Sequence, residues 1–308
     1  MLSILVLAVG CDKAKQEATD DQPPPPSFDV ATKPPLVFQV FGSADSTRLV
    51  PIAAIIGGAI RPIQLPAADW RRLDSTYFQP GTEYPIYRDG LAVGTVTVSR
   101  RMWEPDSEPL YELPGCREVR PMAEVRLQTQ VALDPAFEFL STSTPLRAVA
   151  PRSNGAPRDL EAAAREVALI ALRTQGLDSA DIDTAAFSAR AIHMANGGGV
   201  TIVANQVDPN AGDTGPGAGH TTHFLVLGDD PDGKGYRVTY QHLESGEART
   251  VEFQRVIDHL DLTADGTDEV FVESWRYAGT NDLVVLARTN GKWHEALRVQ
   301  QQWCLRNR

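Results

Sequence analysis

The stretch at 268–299, DEVFVESWRYAGTNDLVVLARTNGKWHEALRV, decides the fold class. It holds three runs rich in Val, Leu, Phe and Trp, at 268–275, 282–289 and 292–299, separated by YAGTN and TNG. Such runs, bounded by Gly and Asn, read as strands. Parallel neighbours need a crossover of about a dozen residues or more, so connections this short make the strands antiparallel. The same signal extends backward through 185–194, 198–206, 222–228, 235–243 and 247–255, punctuated by NGGG, NAGDTGPGAG, DDPDGKG and ESGEA. The expected C-terminal architecture is an antiparallel β-meander.

One helix precedes these strands. DLEAAAREVALIALRTQGL at 159–177 places Leu160, Ala164, Val167, Leu169, Ile170 and Leu172 on a broad apolar side, with acidic residues early and Gly176 to stop it. A side that broad should pack on a sheet. Ahead of it, STSTPLRAVAPRSNGAPRD has the composition of a connector.

Residues 36–147 read as a small antiparallel β domain. EYPIYRDGLAVGTVTVSRRMWE at 83–104 is a hairpin turning at Arg88-Asp89-Gly90. Alternation places Val93, Thr95 and Thr97 on one face and Val96 and Val98 on the other, so part of the strand is covered on both sides. A later strand in CREVRPMAEVRLQTQVAL is interrupted by Pro121. The fold class expected is mainly β (α+β), with one major helix in the second half, 148–308.

Across 308 residues, 42% are hydrophobic, enough for a packed core, and 40 acidic against 29 basic side chains give a net charge of −11. That field repels phosphate backbones, so no nucleic-acid partner is expected. The beginning of the chain carries a different signal. MLSILVLAVGCDK has an apolar run from Leu2 to Val9, too short for a permanent span, ending in small residues before Cys11. Residues 12–35 are polar, charged and proline-rich, with four consecutive prolines at 23–26 that favour an extended tether.

This start resembles the signal peptide of bacterial lipoproteins. The resemblance makes AVGC the lipobox and Cys11 the lipidated residue, and it implies a periplasmic or cell-surface protein anchored to a bacterial membrane. Protein or glycan partners in the envelope follow from that location. With Cys11 carrying lipid, Cys116 and Cys304 remain, and an oxidising compartment favours a bridge between them over two separate thiols.

The acidic stretch DLTADGTDEVFVES at 261–274 has the ligand spacing of a calcium loop. It also resembles the acidic loop and strand of FG-GAP and VCBS-type repeats, which implies side-chain ligands at Asp261, Thr263, Asp265 and Glu269 and a carbonyl ligand at Thr267. One good copy and a weak echo at 229–240 are too few for a propeller. Two readings stand side by side: a weak calcium site, or a metal-free Asp-Gly hairpin whose carboxylates cap backbone amides.

Other chemistry is sparse. His220 and His223 in HTTHF lie three residues apart, which on a strand sends the rings to opposite faces, and no further zinc motif accompanies them. The glycine-rich 210–220 lacks the Lys and hydroxyl of a phosphate loop. No Gly-x-Ser-x-Gly or Ser-x-x-Lys appears. The leading expectation is therefore an exported binding or structural module. The alternative is an envelope-polymer hydrolase with its site between the two β regions and loop 210–220 as a lid.

Overall fold

The computed structural model describes residues 28–43, 46–102, 121–134, 137–146, 157–195, 199–207, 220–247, 250–276 and 281–300. The fold is mainly β, and every strand pairing among these residues is antiparallel.

The N-terminal half contains β1 (Leu36–Ser43), β2 (Ser46–Ile56), β3 (Ala59–Arg61), α1 (Ala67–Tyr77), β4 (Glu83–Arg88), β5 (Leu91–Arg101), β6 (Ala123–Thr129) and β7 (Phe137–Thr142). Their order is β1-β7-β4-β5-β6-β2, and β2 pairs back onto β1, so six strands close on themselves while β3 extends the edge of β2. Period-two alternation fills the interior: Leu36, Phe38 and Val40 point inward with Ile86, Val96, Val98 and Phe139. Helix α1 adds Trp70, Leu73 and Tyr77 to this core. The spacing of these three residues was the sequence signal for α1, and reading 36–147 as strands alone missed it.

The C-terminal half forms two sheets rather than one meander. After α2 (Leu160–Thr174) come β8 (Phe187–His193), β9 (Val200–Gln206), β10 (His220–Asp229) and β11 (Arg237–Glu247), in the order β11-β10-β9-β8. The second sheet, β12-β13-β14-β15, uses Phe253–Leu260, Glu269–Trp275, Asn281–Thr289 and Lys292–Gln300. The expected turn at ESGEA is instead the end of β11, whose Glu247 pairs with His220. The chain leaves the first sheet beyond it and enters the second at Phe253, which pairs with Trp275. A long partner strand, β10, carries β11 through the Ser and Gly that sequence reading took for a turn.

The layers stack on buried side chains. Helix α2, capped by Asp159 accepting from the Ala162 N–H at 2.9 Å, lays Ala164, Val167, Ala168 and Leu172 on Ile202, Ala204 and Val226 of the first sheet. The opposite face of that sheet meets the second through Val203, Leu225, Val270 and Val284. The far face of the second sheet then packs on the outside of the barrel, bringing Phe271, Leu283 and Val285 against Val37, Ile52 and Leu140. Sheet β12–β15 is thus covered on both faces, which explains why 268–299 is so rich in apolar residues.

Candidate functional site

The acidic turn joins β12 to β13. Its reversal uses two left-handed residues, Ala264 with φ 58° and Gly266 with φ 90°, and glycine meets that requirement without a Cβ penalty. The Asp261 carboxylate accepts the N–H groups of Asp265 and Gly266, each at 3.1 Å. The Asp265 carboxylate accepts the Thr267 N–H at 2.7 Å. Glu269 accepts the Leu262 N–H at 2.8 Å and the Thr263 hydroxyl at 3.1 Å.

These are the bonds of the hairpin reading: carboxylates satisfy amides inside the turn. Of the five residues singled out from sequence, Asp261 and Asp265 share the loop, and Thr263 is turned onto Glu269. Burial pushes Glu269 up to about 8, against the pull of the Leu262 N–H and the Thr263 hydroxyl. Burial also raises Asp261, with the neighbouring Asp265 and Asp268 adding to the rise. A calcium ion needs ionised oxygens converging on one point. Here the Glu269 carboxyl is pushed toward its protonated form, Thr263 is turned onto it, and the Asp261 and Asp265 carboxylates face backbone amides. Among the described residues, no group of three or more His, Cys, Asp or Glu is arranged to hold a metal ion.

Beside the turn lie groups that the motif search passed over. His259 Nδ1 and Asp268 Oδ2 are 2.5 Å apart, with side chains only 4% and 0% exposed, and Asp268 also accepts the Ala195 N–H at 3.3 Å. Asp258, buried at a bulge in β12, accepts the N–H groups of His259 at 2.7 Å and Asp89 at 2.8 Å. The signal available was Asp258 and His259 set between Val256-Ile257 and Leu260 in β12: charge placed where burial is expected needs a partner.

A second polar concentration closes one end between the two C-terminal sheets. Glu252 bonds Arg276 at 2.8 Å, Arg298 at 3.2 Å and the Ser274 hydroxyl at 2.5 Å. Burial opposes ionisation there, but the Ser274 hydroxyl, Arg298 and Gln254 outweigh it and hold Glu252 at about 2. Ser274 and Arg276 come from the end of β13 and Arg298 from β15, more than 20 residues from Glu252, so no local motif announces the cluster.

The remaining expected residues distribute as follows. His223 is buried within β10, its ring 4.0 Å from that of Phe253. His220 begins the same strand, and its side chain lies outside the described set, as do loop 208–219, Cys11, Cys116 and Cys304. Trp275 stacks on Phe253 at 5.4 Å, and Trp293 is buried between the sheets. An open groove of about 720 Å³ runs between residues 92–95 and 128–131 at one end of the barrel. Leu91, just before the first segment, and Leu133, two residues after the second, are the large hydrophobic side chains exposed among the described residues.

Comparison with known proteins finds no family model, no curated protein and no solved structure that matches this chain.

Proposed function

We propose that the chain is an exported, lipid-anchored module of the bacterial cell envelope that binds a protein or glycan partner or serves a structural role. The observation that carries the reading is the order of elements at the start of the sequence: the apolar Leu2–Val9, the small residues before Cys11, and the polar, proline-rich 12–35 leading into the folded region. The open groove between residues 92–95 and 128–131, and the exposed Leu91 and Leu133 close to those segments in sequence, support a binding role. The Cys116 to Cys304 bridge belongs to the same proposal, since an exported chain meets oxidising conditions.

The hydrolase reading put its site between the two β regions. Among the described residues the apolar part of that boundary is packed by Val37, Ile52, Tyr87, Leu140, Phe271 and Val285, and the carboxyls at it, Asp258 and Glu138, accept from the Asp89 N–H and the Gln39 side chain. The binding-module reading is preferred because these carboxyls already serve as acceptors within the fold.

The test is metabolic labelling with an alkyne fatty acid in a bacterial host expressing the full chain or its Cys11→Ala variant. Label and membrane association in the parent, both lost in the variant, are expected. An unlabelled parent in the soluble fraction would remove the anchor from the reading.

A further inference from the structure

Two carboxyl groups sit where the barrel meets the second C-terminal sheet, and each is surrounded by groups from separate layers. Asp258, 3% exposed, receives the Asp89 N–H from the tip of the β4–β5 hairpin. Asp89 in turn pairs through its own carboxylate with Arg190 of β8, and Arg190 also reaches the Ile257 carbonyl at 3.5 Å. One hairpin tip of the barrel is thereby tied to both C-terminal sheets at a single point. The second carboxyl, Glu138 of β7, accepts from the Gln39 side chain. Arg88 donates to the Glu138 carbonyl. From the sheet side it faces Glu273 and Arg255, which bond each other at 2.6 Å.

We propose that this contact is a proton-sensitive joint, closed while Asp258 and Glu138 carry protons and loosened when they ionise. The reasoning is desolvation: ionised carboxylates at a buried interface lose hydration that their few partners replace only in part. Around Asp258 the facing charged groups are Asp89 on the hairpin and Arg190 on β8. His259 is its chain neighbour, and Glu269 and Glu273 flank its partner Phe271 on β13. Burial pushes Asp258 up to about 7, and the Asp89 carboxylate adds to the rise against the His259 and Asp89 N–H groups and Arg190. Glu138 is raised by burial and by Glu273, against Gln39, Arg255 and Arg88.

Opening the joint hydrates these groups and lets them release protons. By linkage, the opening equilibrium then rises roughly tenfold per pH unit for each carboxyl freed, up to the pKa of the closed state. Proton sensing of this kind needs no histidine and would couple the barrel's position to the acidity around the molecule.

Hydrogen exchange of the full chain, corrected for the intrinsic pH dependence of exchange, tests this directly. The Asp89 amide should open roughly tenfold more often per pH unit between pH 5 and 7 and level off above it, and at every pH it should open more often than Leu225 and Val226 inside the first C-terminal sheet, which open only when the whole fold does. Asp258→Asn, a neutral mimic of the protonated form, should lower that slope by about one decade per unit. Arg190→Gln should move the levelling point to higher pH, because the cation that favours ionisation is gone. A flat profile in the parent, the same slope in Asp258→Asn, an Asp89 amide that opens no more often than Leu225 and Val226, or an unmoved levelling point in Arg190→Gln would each overturn the joint.

Discussion

Replacing Gly228 by alanine tests how α2 docks. A Cβ built at Gly228 meets the two γ-methyls of Val167 at 2.6 and 2.7 Å and its Cβ at 3.3 Å. Carbon atoms prefer about 3.5–4.0 Å, so the helix must move by close to 1 Å or Val167 must leave its place. Val167 is fully buried, and overpacking of such a site costs about 1–3 kcal/mol. Without the clash the change would stabilise by about 0.4–1 kcal/mol, since alanine restricts the unfolded chain more than glycine. Val167→Ala alone removes two methyls, about 0.8 kcal/mol each, and leaves a cavity, for a loss of about 2–3 kcal/mol. In the double variant the new methyl enters the space just vacated, so the combined loss should fall short of the sum by about 1 kcal/mol or more. Urea denaturation of the four proteins gives the cycle. A neutral or stabilising Gly228→Ala, or strict additivity, would refute the contact.

Three further outcomes follow from the same geometry. Gly94→Ala places a Cβ 2.1 Å from the Gln128 carbonyl oxygen, backbone against backbone, and should cost about 3 kcal/mol or more in denaturation; an unchanged midpoint would contradict the β5–β6 register. Glu269, raised to about 8 from an ordinary carboxyl value near 4.5, contributes stability that is full below that value and lost as pH rises to about 8; in Glu269→Gln the melting temperature should decline less across pH 5 to 8, and an equally steep decline would reject the assignment. Calorimetric titration with calcium to millimolar levels should give no heat at neutral pH, because the turn's oxygens face its own amides; saturable heat that disappears in Asp265→Asn would establish the metal reading instead.

Much of the secondary structure could be read in the chain. The α2 helix begins one residue after Asp159 and ends near Gly176 as its caps require, and the alternation around Val96 and Val98 marks an inward face of the barrel. The acidic turn was legible as a turn. Its choice between coordinating a cation and capping amides was not, because the same Asp-Gly spacing serves both. Helix α1 escaped notice because its start at Pro66 has no side-chain cap, leaving only the spacing of Trp70, Leu73 and Tyr77.

By itself the sequence determined the antiparallel β character, the main helix, the hairpin at Asp89-Gly90 and the absence of local catalytic motifs, since all of these rest on periodicity and turn chemistry within a few residues. Tertiary structure alone decided that β2 returns to β1 to close a barrel, that β11 and β12 part into different sheets, and that Asp258 meets Asp89 and Arg190 across the layers. Those outcomes depend on which buried faces find one another across distant parts of the chain, as where the Asp89–Asp258 bond joins residues 169 apart. Local pattern states that a strand has an apolar face; only the packed chain settles what covers it.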